Sequence, residues 1–209
     1  MQLFTRQVMT AGPPGAAVEW ATEIRAVASA SMGTEVSLWA GSFGVPIGAM
    51  AFTARVEGIA DLAERAAPML EDAAYGALLA KGAELMAAPP QDSLATPLHG
   101  ELGDPPPVGS FAVVTNAQIA NGKFAEAVGW AIDIASHVTS TSGMPVGVMM
   151  QEYGPFGMLT WIGIGADAAA VDAAAAATRD DADYVTKMSA AGDLFVAGSG
   201  ARVLLSRVA

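Results

Sequence analysis

The amides Asn116 and Gln118 stand two residues apart in FAVVTNAQIANG. On an extended strand that spacing puts both on one face, where they can orient a polar substrate atom or bond backbone and water. Arg6, alone in LFTRQVM, carries a planar fork suited to a carboxylate or enolate, and equally to one of the chain's own acids. His137 continues the helical stripe of Trp130 and Ile134. It reads as a general base near neutral pH, or as a core residue bonded to a carbonyl, Thr139 or Ser140. His99, beside Pro97 and Gly100, carries the same two readings. In MMQEYGPF, Tyr153 lies in the hairpin turn, and Glu152, preceded by apolar Met149 and Met150, reads as a general base or as a solvated turn residue. Met150, next to Met149, suits an adaptable apolar wall. Gln118, His137, Tyr153 and Met150 are thus the expected substrate-binding set.

Other chemistries are not available to this chain. It has no cysteine, which excludes disulfides, thiolate ligands and Cys nucleophiles, and two histidines leave little for a transition-metal cluster. Asp180, Asp181 and Asp183 read as a solvated helix face, since residues one and three apart on a helix do not converge on a cation. No metal is expected. No phosphate-cradling or nucleophile-elbow pattern occurs. With 10 Lys and Arg against 21 Asp and Glu, the formal charge is -11, so nucleic acid and anionic lipid are not expected partners. No run of 18 apolar residues is uninterrupted, and the start MQLFTRQVMTAGPPG does not read as a signal peptide, so a cytoplasmic location is the expectation.

The elements that position these residues come from an internal repeat. AVEWATEI from Ala17 recurs as AVGWAIDI from Ala127, an offset of 110 that also matches Gly33 with Gly143 and Phe43 with Tyr153. After a one-residue deletion the offset is 109, matching Phe52 with Trp161, Tyr75 with Tyr184 and Leu85 with Leu194. Each copy reads as one series: a strand (3–10; 111–119), a helix with apolar Ala17, Trp20, Ala21 and Ile24 on one face, and a hairpin (35–43 with 47–56; 146–153 with 156–164). A long helix (59–86; 168–195) follows, with breaks expected near Gly82 and Gly192, then a last strand (93–102; 201–208).

The order β-α-β-β-α-β is the ferredoxin-like unit, an α+β architecture. Its sheet has one face without helices. Val36, Leu38, Ala40 and their counterparts Val146, Val148 and Met150 are assigned to that face, making it too apolar for water. The two copies, 1–103 and 110–209, joined by a Pro-rich linker over 104–109, are therefore expected to pack sheet to sheet as a pseudo-two-fold α/β barrel.

This order and duplication resemble the dimeric α/β-barrel superfamily, which includes antibiotic-biosynthesis-type and haem-degrading monooxygenases, muconolactone isomerases, chlorite dismutase-like proteins and stress-responsive barrels. The resemblance implies a cavity between sheet and helices or within the barrel, holding a small hydrophobic or aromatic molecule or haem. It also implies that Asn116 and Trp161 look like the strand Asn and pocket Trp that orient substrate in those monooxygenases, with Arg6 or Gln118 stabilising negative charge. The histidine that haem-degrading enzymes carry on the second helix has no counterpart over 168–195. The expected function is a cofactor-independent monooxygenase or isomerase acting on a hydrophobic or aromatic substrate. The alternatives are a non-catalytic ligand-binding or stress-related barrel and a haem-binding protein, with a homodimer as a candidate assembly.

Overall fold

Each copy folds from its alternating strands and one apolar helix stripe. In the computed structural model, which describes residues 1–11 and 13–209, the first half runs β1 (Gln2–Thr10), α1 (Pro14–Met32), β2 (Val36–Phe43), β3 (Ala49–Val56), α2 (Ile59–Glu71), α3 (Ala73–Leu85) and β4 (Met86–His99). The second runs β5 (Phe111–Gln118), α4 (Phe124–Ser142), β6 (Val146–Tyr153), β7 (Met158–Gly165), α5 (Ala168–Arg179), α6 (Ala182–Ser189) and β8 (Ala201–Arg207). The strands close into one antiparallel barrel, β1-β3-β2-β8-β5-β7-β6-β4, and the pairs β2–β8 and β4–β6 seal the two sheets edge to edge. Closure leaves no strand edge open.

Local interactions repeat between the halves. Gly33 and Gly143 end α1 and α4 in the left-handed conformation, at φ 60 and 72. Ser29 Oγ and Thr139 Oγ1 then accept from the amides of Val36 and Val146, which start the next strand. The indole of Trp20 donates to the Leu78 carbonyl at 2.7 Å, and that of Trp130 to Lys187 at 2.9 Å. Each indole joins the first helix of its half to the last, burying ring area and satisfying its polar handle at once.

The long helix breaks elsewhere than at Gly82 and Gly192. It is interrupted at Asp72 and again at Asp181, 109 residues on. Each carboxylate turns back to accept from the second and third amides of the helix it opens: Ala74 and Tyr75, then Asp183 and Tyr184. An aspartate at that position restarts a helix by satisfying amides that have no partner in the turn before. Asp181 is accordingly a cap rather than part of a solvated helix face. Gly82 has a different role, because a Cβ there would lie 2.4 Å from the Trp20 ring.

The two faces of the sheets are also the reverse of the expectation. Val36, Leu38 and Val148 pack against the helices, while Ser37, Trp39, Gly147, Met149 and Gln151 point into the barrel. The helix faces are the more apolar ones, with Arg6, Thr115 and Arg202 as exceptions, and the barrel interior mixes small, apolar, amide and charged side chains. Pairing the sheets is enforced by edge hydrogen bonds as well as by apolar burial.

Candidate functional site

Two cavities lie on opposite sides of the second half's sheet. One, of about 850 Å³, is the barrel interior. The other, of about 410 Å³, lies between that sheet and α4, α5 and α6. Both fall in the size range of small-molecule sites, roughly 300–1,000 Å³.

The sheet–helix cavity exists because side chains shrink between the copies. The pairing Gln7 with Ala51 and Asn116 with Thr160 fixes the strand offset at 109, which aligns Phe4, Arg6 and Val8 with Val113, Thr115 and Ala117. In the first half Phe4, Val8 and Met69 fill the space beneath the helices, with Trp20 and Phe52 edge to face at 6.3 Å. In the second half Val113, Thr115, Ala117 and Thr178 line the void instead. Its walls are aromatic: Trp130, Trp161 and Phe195 meet edge to face, with ring centres 5.4–6.0 Å apart. Trp161 is buried and donates its indole proton to the Ala131 carbonyl at 3.0 Å, which ties the ring to α4.

The polar groups of this cavity are few. Thr115, Asn116, Thr178 and Tyr184 line it, and Arg202 is the one charged residue among the described lining residues. Arg202 pairs with Thr115 across β5–β8, as Asp92 pairs with Arg6 across β1–β4. In the first half those two partners neutralise each other, Arg6 Nε and Nη2 meeting both Asp92 oxygens at 2.8 and 2.7 Å. That bidentate bond, ahead of every other cause, holds the Arg6 guanidinium more basic than usual. In the second half the acid is replaced by an arginine and the arginine by a threonine. Arg202 is exposed at this cavity with no ion pair among the described residues.

The sequence-derived candidates separate accordingly. Asn116 and Trp161 both border the sheet–helix cavity. Asn116 also lines the barrel, where its Oδ1 accepts from Thr160 Oγ1 at 2.7 Å, whereas the Trp161 ring packs against the helices. Arg6 belongs to an ion pair on the first half and lines neither cavity. Gln118 donates to the Phe156 carbonyl at 3.0 Å and tethers a hairpin. His137 bonds Asp181 Oδ2 at 3.0 Å, tying α4 to the cap of α6. Thr141 shares that carboxylate at 3.1 Å. Tyr153 is exposed at the hairpin, as is Glu152, and Met150 packs against the helices without lining a cavity. Its neighbour Met149 lines the barrel instead.

Arg202, Thr115 and Tyr184 were not singled out as site residues. The missed signal was the offset in the first strand. The connection from strand to helix is one residue longer in the second half, so the 110 that aligns the helices misaligns the strands. With 109, Gln7 answers to Asn116 and Arg6 to Thr115.

A closed eight-stranded barrel of two ferredoxin-like units, with a cavity between one sheet and its helices, defines the dimeric α/β-barrel fold. Solved structures share it along the whole chain. A protein provisionally described as a monooxygenase from Fusobacterium nucleatum matches with a TM-score of 0.67 at 11% identity, covering 100% of this chain and 92% of its own. An anthrone oxidase-like protein matches at 0.65 and 14%, covering 100% and 92%. A protein provisionally described as a chlorite dismutase matches at 0.55 and 11%, covering 100% and 96%. At such identities the likeness is one of fold. No protein-family model and no curated protein matches the chain.

Among the described residues, no histidine lines the sheet–helix cavity to hold haem there. His137 is engaged with Asp181 and His99 lies at the barrel, so neither lines the sheet–helix cavity. Among the described residues no helix is long and apolar enough to cross a membrane, and no cluster of three His, Cys, Asp or Glu is placed to hold a metal.

Proposed function

We propose that the sheet–helix cavity of the second half binds a flat aromatic molecule bearing an acidic oxygen, and that the protein oxidises such a molecule with O₂ without a bound cofactor. The observation that carries this reading is the replacement of Phe4, Arg6 and Val8 by Val113, Thr115 and Ala117, which opens an aromatic-walled space only where an arginine is left without a counter-charge. Trp130, Trp161 and Phe195 form the aromatic wall against which the ring system packs. Arg202 stabilises the phenolate or enolate, and an electron-rich anion of that kind reduces O₂ directly.

The likeness to an anthrone oxidase-like protein makes anthrone a suitable probe. Anthrone and O₂ give anthraquinone and water, so atoms and electrons balance without a further reductant. Anthraquinone formation above the spontaneous rate, lowered about tenfold by Arg202→Gln through the loss of one charged hydrogen-bond donor, supports the reading. No acceleration, together with naphthoate binding indifferent to Arg202→Gln, overturns it.

One observation favours a second reading, a non-catalytic binder. Among the described lining residues of this cavity there is no carboxylate, histidine or lysine to serve as a base. Saturable naphthoate binding with no anthrone turnover would select it.

A further inference from the structure

The barrel interior is a second cavity, and nothing in the sheet–helix reading uses it. Eight-stranded barrels are just wide enough for inward side chains to fill, or to hold one small ligand when those side chains are short. Here the inward positions include Ser37, Ala51, Ala95, Ala112 and Gly147, which leaves about 850 Å³. The Pro-rich segment between β4 and β5 lies across the end where β1, β2, β5 and β6 begin, Gly100 to Asp104 and Pro106 lining the cavity, the acids Glu101 and Asp104 among them. At the opposite end the two hairpins expose Phe43, Ile47 and Phe156, apolar side chains beside the route in.

Polar atoms inside lack partners. Ser37 Oγ is without a hydrogen bond in a residue that is 1% exposed, and Arg55 Nε is buried and unpartnered as well. Buried polar atoms of this kind are rare and mark a missing partner. Ser37 pairs with Thr53, two residues before Arg55 on β3, so the two side chains are diagonal neighbours on the barrel face. The nearby acid Glu35 is taken by Arg207. Burial pushes the Arg55 pKa down, while Glu35 and Asp104 act on it only from a distance and Arg207 opposes them. The charge of Arg55 is thus incompletely compensated and faces an empty, largely apolar space. A guanidinium fork with a hydroxyl beside it matches a carboxylate.

We infer that the barrel interior is a binding site for an apolar molecule ending in a carboxylate, the head group held by Arg55 and Ser37 and the apolar body lying along Trp39, Ile162, Ile164 and Leu205. This site is separate from the sheet–helix cavity, and its occupant need not be a substrate. Water alone is the competing occupant, since it too would satisfy Ser37 and Arg55.

Trp39 makes the test direct, because it lines the barrel while Trp130 and Trp161 line the other cavity. The probe is 12-bromododecanoate, whose bromine quenches an adjacent indole. The expected result is saturable quenching at one equivalent that Trp39→Phe removes while calorimetric binding persists. Dodecanol should bind at least tenfold more weakly than dodecanoate. Arg55→Gln should erase that difference and Arg55→Lys restore part of it, whereas Val113→Phe, which fills the sheet–helix cavity, should change nothing. No saturable binding, equal binding of acid and alcohol, or quenching that survives Trp39→Phe and disappears with Val113→Phe would each overturn the assignment.

Discussion

Thr115 stands opposite Trp161 as Arg6 stands opposite Phe52, so the same place in two copies of one fold holds a short hydroxyl in one and a long cation in the other. The consequence reaches across the next strand. Arg6 consumes Asp92, while Thr115 leaves Arg202 without an ion pair among the described residues. A duplicated core has been filled in one half and hollowed in the other.

Refilling the hollow should raise stability and end binding together. Val113→Phe with Ala117→Val restores residues that the first half uses at these positions. The expected gain is about 0.5–2 kcal/mol, typical of cavity filling, with naphthoate affinity falling at least tenfold. Urea unfolding and calorimetry on the same preparation measure both.

Gly82→Ala should destabilise the protein by about 1–3 kcal/mol, the range for overpacking a filled core. Helix propensity alone argues the other way, favouring alanine by about 1 kcal/mol. The steric term decides the sign, because the new Cβ meets the Trp20 ring at 2.4 Å and that ring is itself fixed by its bond to Leu78. Gly76 in the same helix faces open space, so Gly76→Ala should be neutral or stabilising. Denaturation midpoints of the two variants compare the terms.

Asp181 sets an acid-sensitive latch. The backbone amide of Tyr184 is the main cause holding its carboxyl below the ordinary range, followed after opposing desolvation by Thr141 and His137 and the Asp183 amide. A depressed carboxylate contributes stability that is fully present above the unfolded value, about 3.9, and is lost as pH falls through the folded value. Asp181→Asn should therefore unfold at a lower temperature than wild type at pH 7, with the gap closing below about pH 4. A gap that stays constant down to pH 2 would show that the charge is not what matters.

Haemin should give no saturable Soret shift with the wild-type protein. The sheet–helix cavity offers Tyr184 and Met188 but no histidine, His137 is held away by Asp181, and His99 lines the barrel interior, so a shift that His99→Ala abolishes would place haem there. A shift that Tyr184→Phe abolishes would instead reveal tyrosinate ligation in this cavity.

The sequence by itself determined the architecture. Trp, Tyr and Gly recur in register at offsets of 110 and 109, and the apolar periods of strand and helix are written locally, so the repeated order and the barrel follow. Even so, the helix breaks were read at Gly82 and Gly192 when capping carboxylates at Asp72 and Asp181 make them. The site was not legible in the same way. Strand side chains alternate, so a one-residue error in aligning the first strands exchanged Gln7 for Arg6 and moved the assignment to the other side of the sheet. Whether Asn116 and Trp161 share a cavity, whether Arg6 is free or paired, and which of two equivalent interiors is hollow all depend on partners 30 to 90 residues away. Those partners are chosen by strand pairing and by the volume left between packed elements, and only the tertiary structure fixes them.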